Sequence, residues 1–416
     1  MPLLKTASAP WTDSTLSLLA RGYAWLPDRM RATDGEPVRT RLMGRPVIAL
    51  RGPEAIGFFY DEHVKRTAAV PGPVLDTLFG RGAVHTLDGD DHRVRKAMFL
   101  ALLKDAAGVA TLAEHVAQQW SKAATEWEDG RYVVLFDEVA VILARAVCAW
   151  TGVELSDEAD RQMGEDCTAM VDGFATPGPR HWRARTARRR QEEALAALVR
   201  ATREGGELVS DNGTALEVVA WHRDADGQLL DPHTAAVELL NIIRPTVAVA
   251  WFAAFAAHAL HRWPAHREGL RKDADSRYAR AFAHEVRRFY PFAPFVGGIA
   301  ATDLTWRGET IAKDTLVLLD LYGHNHDSRL WDAPYRFDPE RFVGREPGAD
   351  ELVPQGGGDP ARGHRCPGED VTVSVLATIV TQLAGLDYEV PDQDLTIPLS
   401  KIPTRPHSGF VLRAAR

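Results

Sequence analysis

An apolar run of 14 residues, Val247–Leu260, constrains this chain more than any other feature of its sequence. A helix that is apolar on every side must be buried on every side, so the run predicts a helix inside a large core. It is too short for the roughly 20 residues that span a bilayer. Arg244 and Pro245 stand just before it. A buried guanidinium is costly unless an anion meets it, so Arg244 needs a carboxylate from elsewhere in the chain or from a ligand.

Composition and charge exclude several kinds of protein. The 416 residues can bury a large core, and no repeat or linker divides them, so we predict one domain over residues 1–416. A net charge of −8 without a concentrated basic tract argues against a nucleic-acid partner. Cys148, Cys167 and Cys366 are too few and too scattered for a disulfide framework. The N-terminus has no signal-peptide pattern, so we expect a cytoplasmic protein with no obligatory membrane contact.

The periodicity of apolar residues predicts a mainly α-helical fold with small β-sheets. Segments such as LAEHVAQQWSKAATEW, QEEALAALVRATREGG and SRYARAFAHEVRRFYP repeat apolar residues every three or four positions. The second segment ends at Gly205 and Gly206, which indicates a helix end. Short β-rich pieces occur in GRPVIALRG, in TDLTWRGETIAKDTLVLLDLY and in the proline-punctuated tail. We therefore expect minor sheets formed towards the two ends of the chain.

The stretch VPQGGGDPARGHRCPGEDVTVSVLATIV carries the strongest chemical signal. A glycine-rich loop leads to Cys366, Pro367 and Gly368, and an apolar helix begins immediately afterwards. The free N–H groups at a helix N-terminus favour a thiolate, and glycines allow the backbone to approach a flat ligand. The environment suits a thiolate metal ligand, and the alternative is a buried cysteine in a turn.

Two companion segments make the order of motifs more specific than any one of them. HEVRRFYP places Glu285 and Arg288 three residues apart, on one side of a helix. YRFDPERF supplies Arg341 shortly before the cysteine loop. Each is unremarkable alone. The sequence E-x-x-R, then P-E-R-F, then a glycine-rich cysteine loop that opens a helix is a much rarer combination.

At these residues the chain resembles the cytochrome P-450 superfamily, the thiolate-ligated haem oxygenases, over nearly its whole length. The resemblance implies the cytochrome P-450 fold, with haem b between the long central helix and the helix after the cysteine loop. It makes Cys366 the axial iron ligand, and thiolate donation favours O–O cleavage. It also makes Glu285, Arg288 and Arg341 a structural charge network behind the haem.

Further residues are implied as haem contacts by the same resemblance. DGDDHRVRKAMF resembles the helix whose histidine and basic residue meet a haem propionate, which points to His92 and Lys96. Arg66 in DEHVKRTAAVPGP is a propionate contact by the resemblance and an ordinary surface cation without it.

The cysteine loop departs from the usual family motif and points to one branch. The usual motif has a phenylalanine and then a glycine four residues before the cysteine, whereas Arg362 and the stretch GGGDPARG stand here. This form resembles the bacterial fatty-acid peroxygenases, which include fatty-acid α- and β-hydroxylases and alkene-forming decarboxylases.

Arg244 and Pro245 occupy the place where other members carry an acid and an alcohol for proton relay. Proline has neither an N–H nor a hydroxyl, and arginine is no general acid at neutral pH. A guanidinium does match a carboxylate bidentately. By this reasoning, and by the resemblance, Arg244 anchors a fatty acid whose carboxylate serves as the acid–base group for H2O2. Pairing with a protein acid is the alternative, although Glu238, six residues back, points elsewhere on the helix.

His85 and Phe79 in TLFGRGAVHTLDGDDH lie over the distal haem face by the same resemblance. A histidine at this position resembles the decarboxylases, whereas hydroxylases more often carry glutamine. His85 can donate a proton near neutral pH, with Phe79 holding its orientation, although a lone histidine is often structural. Acyl-channel candidates, for which ordinary core packing is nearly as good an explanation, are Met170, Val171 and Phe292.

The sequence therefore predicts an enzyme that uses H2O2 to oxidise medium- or long-chain fatty acids at Cα or Cβ. The products are terminal alkenes, hydroxy acids or both, and a redox partner is dispensable. One alternative is a conventional monooxygenase that receives electrons from a redox partner. The other is a haem- or ligand-binding protein without catalytic activity.

Overall fold

The computed structural model describes residues 12–35, 37–127, 130–174, 176–206 and 213–415, and most of these residues are helical. Its α-helices are α1 (Thr15–Arg21), α2 (Trp25–Ala32), α3 (Pro53–Phe59), α4 (Gly72–Val74), α5 (Gly89–Leu103), α6 (Ala106–Trp127), α7 (Leu135–Thr151), α8 (Asp157–Gly173), α9 (Pro179–Glu204), α10 (Ala215–Ala220), α11 (Pro232–Val247), α12 (Val249–Arg262), α13 (Ala265–Arg271), α14 (Arg277–Phe289), α15 (Leu321–His324) and α16 (Glu369–Gly385).

The strands are short and form small sheets beside the helices. They are β1 (Val38–Leu42), β2 (Arg45–Leu50), β3 (Val64–Lys65), β4 (Tyr132–Val134), β5 (Phe295–Ala300), β6 (Leu304–Trp306), β7 (Glu309–Ile311), β8 (Leu316–Asp320), β9 (Tyr388–Glu389) and β10 (Val411–Ala414). One sheet has the order β1-β2-β8-β5-β3, and only the β2–β8 pair in it is parallel. Strands β4, β10 and β9 form a second sheet, and β6 pairs with β7.

Helices α11 and α12 run through the centre of the molecule. Asp231 caps the start of α11, because its side chain accepts hydrogen bonds from the backbone N–H groups of His233 and Thr234, both at 3.0 Å. The helical path is interrupted only at Ala248, three residues after Pro245. The largest cluster of buried apolar side chains gathers residues from α5 to α14 and from α16 around these two helices.

The apolar run lies in the core, as its composition predicts. Residues Pro232–Arg262 are long and apolar enough to cross a membrane, but 94% of their most apolar window is buried inside the protein. The helix is longer than the apolar run because buried polar residues in α11 extend it. The expectation that the N-terminus carries no anchor concerns residues 1–11 in part, and these lie outside the described residues.

The predicted mainly α-helical fold with small sheets is confirmed, and the predicted helix end at Gly205 is the cap of α9. The sheets differ from the prediction in one respect. The N-terminal hairpin β1–β2 pairs with β8, and through β8 with β5, so one sheet joins the start of the chain to its later part.

Candidate functional site

Cys366 lies in a turn directly before α16, with Gly368 as the residue that precedes the helix. Its backbone N–H donates to the carbonyl oxygen of Gln355 at 3.1 Å, and the Gln355 side-chain amide lies 3.5 Å from its Sγ. Burial raises the pKa of the Cys366 thiol, the carboxylate of Glu369 raises it further, and the backbone N–H of Gly368 opposes both. The protein alone therefore does not stabilise a free thiolate here, whereas a coordinating metal cation would.

A group of hydrogen-bond donors lies buried beside the cysteine loop. The rings of His92 and His364 stack with their centroids 3.9 Å apart, and Lys96 donates to the Arg365 carbonyl at 2.6 Å. Burial lowers the pKa of His92 to about 3, that of His364 to about 4 and that of Lys96 to about 8. A His or Lys pKa falls in this way when burial removes water from the charged form and too few anions lie nearby to stabilise it.

Arg66 and Asp88 complete this group. The backbone N–H of Arg66 donates to the carboxylate of Asp88 at 3.0 Å, while the Arg66 guanidinium lies over the ring of Phe59 and bonds the carbonyl of Gly297. Among the described residues, Nε of Arg66 has no partner. Arg66 is thus buried within the group and is no surface cation, whereas its contact with a haem propionate stays a prediction.

The three residues of the predicted charge network lie together. Glu285 and Arg288 are completely buried and form two hydrogen bonds, of 2.7 and 2.8 Å, and Arg341 approaches Glu285 at 3.8 Å. Arg288 also donates to the carbonyls of Asn325 at 2.9 Å and Pro334 at 2.8 Å.

Arg287, the neighbour of Arg288, connects this network to the cysteine loop. Its guanidinium pairs with Glu369 at 2.5 Å and bonds the side-chain oxygen of Gln355 at 3.0 Å. Sequence reasoning did not identify Arg287, Gln355 or His364. Of these, only His364 carries a local signal, because it stands two residues before Cys366.

On α11, Arg244 is buried with 6% of its surface exposed and has no carboxylate partner among the described residues. Its Nε is without a hydrogen-bond partner. Burial, and then the nearby Arg188 cation, lower the pKa of Arg244 to about 9. Glu238, the upstream acid, pairs with Arg95 at 2.8 Å instead.

Phe79 and His85 lie next to Arg244. The Phe79 ring is 5.9 Å from the Arg244 guanidinium carbon, and the rings of Phe79 and His85 lie 4.3 Å apart. In the part of the chain described, Nδ1 of His85 is buried and unpartnered. Burial, and then the Arg244 cation, hold the pKa of His85 well below its ordinary value, so the ring is neutral at pH 7.

The acyl-channel candidates lie on two sides of the molecule's centre. Met170 and Val171 are buried on α8, on which Cys167 is close enough to Arg244 to influence its pKa. Phe292 packs against Phe252 of α12 with ring centroids 4.4 Å apart. Phe252 was not predicted, because nothing in its own segment distinguishes it from the other apolar residues of α12.

Comparison with known proteins agrees with this geometry. The sequence model of the cytochrome P-450 family matches residues 272–383. A variant of cytochrome P450SP alpha (CYP152B1) has a TM-score of 0.92 and 40% sequence identity, covering 97% of this chain and 98% of that one. The chain belongs to the cytochrome P-450 family.

Two further relatives place it in the same branch. Cytochrome P450EX alpha (CYP152N1), solved with myristic acid, has a TM-score of 0.90 at 36% identity over 98% of this chain and 99% of that one. A variant of cytochrome P-450 OleT, solved with arachidonic acid, has a TM-score of 0.92 at 33% identity over 98% of both chains. The protein is therefore a cytochrome P-450 oxidoreductase whose fold is similar to the CYP152 fatty-acid peroxygenases and decarboxylases.

The residues around Cys366 fit a haem. Among the described residues, no three His, Cys, Asp or Glu side chains are grouped to hold a metal ion, so a metal at Cys366 needs ligands from a prosthetic group. Asp88 is the carboxylate that lies near Arg66, His92 and His364, and Lys96 donates to a backbone carbonyl, so these buried donors leave room for the negative charge of haem propionates. These features match the thiolate-ligated haem of the family.

Proposed function

We propose that the protein uses H2O2 to oxidise medium- or long-chain fatty acids at Cα or Cβ. The products are terminal alkenes with CO2, hydroxy acids or both. The observation that carries the proposal is the buried guanidinium of Arg244, which has no carboxylate partner in the described part of the chain. A fatty acid is an apolar molecule with one carboxylate, and it supplies the missing anion inside an apolar core.

In this proposal Cys366 holds the iron, and Arg66, His92 and Lys96 bind the propionates, with His364 added from the structure. Glu285, Arg288 and Arg341 support the loop that carries Cys366. When bound, a haem with a thiolate ligand supplies the oxidising chemistry, because thiolate donation favours O–O cleavage. Binding and orientation of the substrate and the transfer of protons depend on residues of the chain and on the substrate itself.

Arg244 binds the fatty-acid carboxylate through two parallel N–H donors and thereby orients Cα and Cβ. Pro245 provides no N–H or hydroxyl for proton relay. The hydroxyl of the next residue, Thr246, already donates to the carbonyl of Ile242 at 2.9 Å. The substrate carboxylate therefore acts as the general base and acid: it accepts a proton from one oxygen atom of H2O2 and returns it to the other, which leaves as water.

His85 influences the balance between the products, without fixing it alone, and Phe79 keeps its ring in place. The neutral ring of His85 has an unpartnered Nδ1, which holds or releases a proton beside the bound carboxylate. The arrival of a negative carboxylate at Arg244 raises the pKa of His85 again, because it offsets the positive charge that lowers it. Met170, Val171, Phe252 and Phe292 contact the acyl chain.

We also propose that the enzyme is a single-domain cytoplasmic protein that works without a redox partner. One observation supports the cytoplasmic location: the one long apolar helix of the described residues is buried in the core. The dispensable redox partner follows from the proposed carboxylate mechanism, which uses H2O2 rather than delivered electrons.

The test is gas-chromatographic product analysis of the haem-loaded protein with myristic acid and H2O2, without a reductase. Terminal alkene is expected, with or without hydroxy acid. Hydroxy acid alone keeps the peroxygenase and removes the role of His85 in alkene formation. Turnover only with a ferredoxin or flavodoxin system indicates a conventional monooxygenase, and haem binding without turnover in either assay indicates a non-catalytic protein.

A further inference from the structure

The segment that carries Phe79 and His85 is held in place through its backbone. It consists of a single π-helical turn, Leu75–Phe79, the glycine Gly80 with φ of 85°, and a short 3-10 turn, Val84–Thr86. Side chains of α9 and α11 bind three of its backbone groups: Arg188 donates to Leu78 O at 2.7 Å, Asn241 donates to Phe79 O at 2.9 Å, and Glu238 accepts from Val84 N at 2.8 Å.

Glu238 is the centre of these contacts. It is completely buried, and the same Oε1 that accepts from Val84 also accepts from the Arg95 guanidinium at 2.8 Å. Its other oxygen accepts from the side-chain amide of Asn241 at 3.2 Å. Arg95, on α5, extends the same contact towards the carbonyl of Gly82 at 3.4 Å. The carboxylate thus joins α5 and α11 to the backbone just before His85.

Glu238, Asn241 and Arg244 stand three residues apart on α11 and form one slanting row on its surface. The first two hold the segment, and the third lies against the Phe79 ring that this segment presents. A rigid helix therefore carries both the proposed substrate anchor and the residues that fix its neighbours. The positions of His85 and Phe79 relative to Arg244 depend on Glu238.

We propose that Glu238 is a positioning residue that, through Val84 and Arg95, holds His85 beside Arg244 and so sets the ratio of alkene to hydroxy acid. The inference rests on the proposed function, since it deepens the role given there to His85. It assigns Glu238 no contact with the substrate. The physical reason is that small displacements of a reacting or proton-carrying group change the partition between competing reactions.

The experiment compares Glu238→Leu with Glu238→Gln. Leucine removes the acceptor for the Val84 N–H, whereas the glutamine side-chain oxygen still accepts it and loses only the charge for Arg95. In Glu238→Leu, hydrogen–deuterium exchange of the peptide covering residues 78–86 is expected to become about tenfold faster, the effect of one lost hydrogen bond. The alkene fraction is expected to fall in Glu238→Leu and to stay close to the wild type in Glu238→Gln.

A matched control is Asp320→Asn. Asp320 is also a completely buried acid, and it pairs with Arg51 at 2.6 Å in another part of the molecule. This variant is expected to lower thermal stability but to leave both the exchange of residues 78–86 and the product ratio unchanged. General destabilisation is thereby separated from loss of position.

A second variant, Val84→Pro, tests the same bond from the other side and serves if Glu238→Leu does not fold. It removes the donor N–H while Glu238 stays paired with Arg95, and the extended conformation of Ala83 suits a following proline. The alkene fraction is again expected to fall. The proposal is overturned if folded Glu238→Leu or Val84→Pro protein keeps the wild-type product ratio, or if Glu238→Leu leaves exchange of the segment unchanged.

Failure of the proposed function and failure of the role of Glu238 give different results. If the wild type forms no fatty-acid product with H2O2, the proposed function is lost, and with it the role of Glu238 in product choice. If the wild type forms product and the variants match it in ratio, only the role of Glu238 is lost. Exchange of residues 78–86 is measured without substrate, so it tests the structural half of the inference in either case.

Discussion

Arg288 and Arg244 are both buried arginines, but their surroundings differ completely. Arg288 forms two hydrogen bonds with the Glu285 carboxylate, and two backbone carbonyls accept from its Nη1. Arg244 has no carboxylate partner among the described residues, and the charged group that influences its pKa most is another cation, Arg188. The protein compensates the first arginine and leaves the second uncompensated.

This difference separates structure from function. A paired buried cation is weak evidence for a binding site, because removal of one partner chiefly destabilises the fold. An unpaired buried cation has an unfavourable desolvation free energy, which the rest of the fold must offset. Such a cation is expected where a bound ligand supplies the missing anion. The contrast leads to four predictions, and the largest effect is expected at the compensated arginine.

Arg288→Ala is expected to have the largest effect, on stability. It leaves the carboxylate of Glu285 buried without its partner, which costs about 3 to 5 kcal/mol, a large part of the stability of an ordinary domain. Urea unfolding of the purified protein measures it. A variant as stable as the wild type would show that the Glu285–Arg288 pair does not support the fold.

Arg244→Ala is expected to leave stability unchanged or to raise it, because it removes a buried charge that no protein carboxylate neutralises. Its affinity for myristic acid is expected to fall by about 10- to 100-fold, the loss of charge-assisted hydrogen bonds, and peroxide-driven turnover to disappear. Arg244→Lys keeps the charge without the planar fork and should lie between. A loss of stability as large as that of Arg288→Ala would show that Arg244 supports the fold as Arg288 does.

The histidines beside the two arginines extend the contrast between Arg288 and Arg244. Burial and then Arg288 lower the pKa of His326 to about 4, and burial and then Arg244 lower that of His85. A folded-state pKa below the unfolded value near 6.5 means that the unfolded chain binds the proton first as pH falls. Each such histidine therefore reduces stability below pH 6.5, and His326 does so by about 2 kcal/mol at pH 5.

Only His85 should respond to the fatty acid. Arg244, Lys96, His364 and Arg188 all influence it, and a carboxylate at Arg244 offsets their positive charge and raises its pKa. Affinity for myristic acid should therefore increase as pH falls through the pKa that His85 has in the complex, since binding then takes up a proton. The slope should vanish in His85→Gln. The same slope in that variant would assign the proton to another group.

The smallest effect is expected at Arg362. Its side chain is 91% exposed, and it lies 3.9 Å from Asp359, a long distance for an ion pair. An exposed pair of this kind contributes little, so Arg362→Ala should change stability by less than about 0.5 kcal/mol. Thermal unfolding measures it. A larger effect would mean that the unusual cysteine loop depends on this side chain, although the residue stands at a position that distinguishes the branch by sequence.

Local patterns predicted the residues that a single segment reveals. Glu285 and Arg288 are three positions apart on one helix, and Cys366 stands directly before a helix, so spacing alone indicates their arrangement. The position of Pro245 inside a helix could equally be predicted from its own segment. That Arg244 lacks a partner was only a hypothesis, because it depends on every other segment of the chain.

Long-range contacts could not be predicted. Arg188 meets the backbone of Leu78, Phe252 meets Phe292, and strand β8 pairs with β2, all through packing that no local signal encodes. The sequence also suggested that His85 donates a proton near neutral pH, whereas burial, and then the Arg244 cation, hold its pKa well below its ordinary value. That the chain forms one domain stays a prediction.

The most direct test is the structure of the haem-loaded protein with myristic acid bound. The account predicts both carboxylate oxygens within hydrogen-bonding distance of the Arg244 guanidinium, with the ring of His85 beside them. A fatty acid bound with its carboxylate elsewhere, or an Arg244 turned to a protein carboxylate, would contradict the proposal that this arginine is kept unpaired for its substrate.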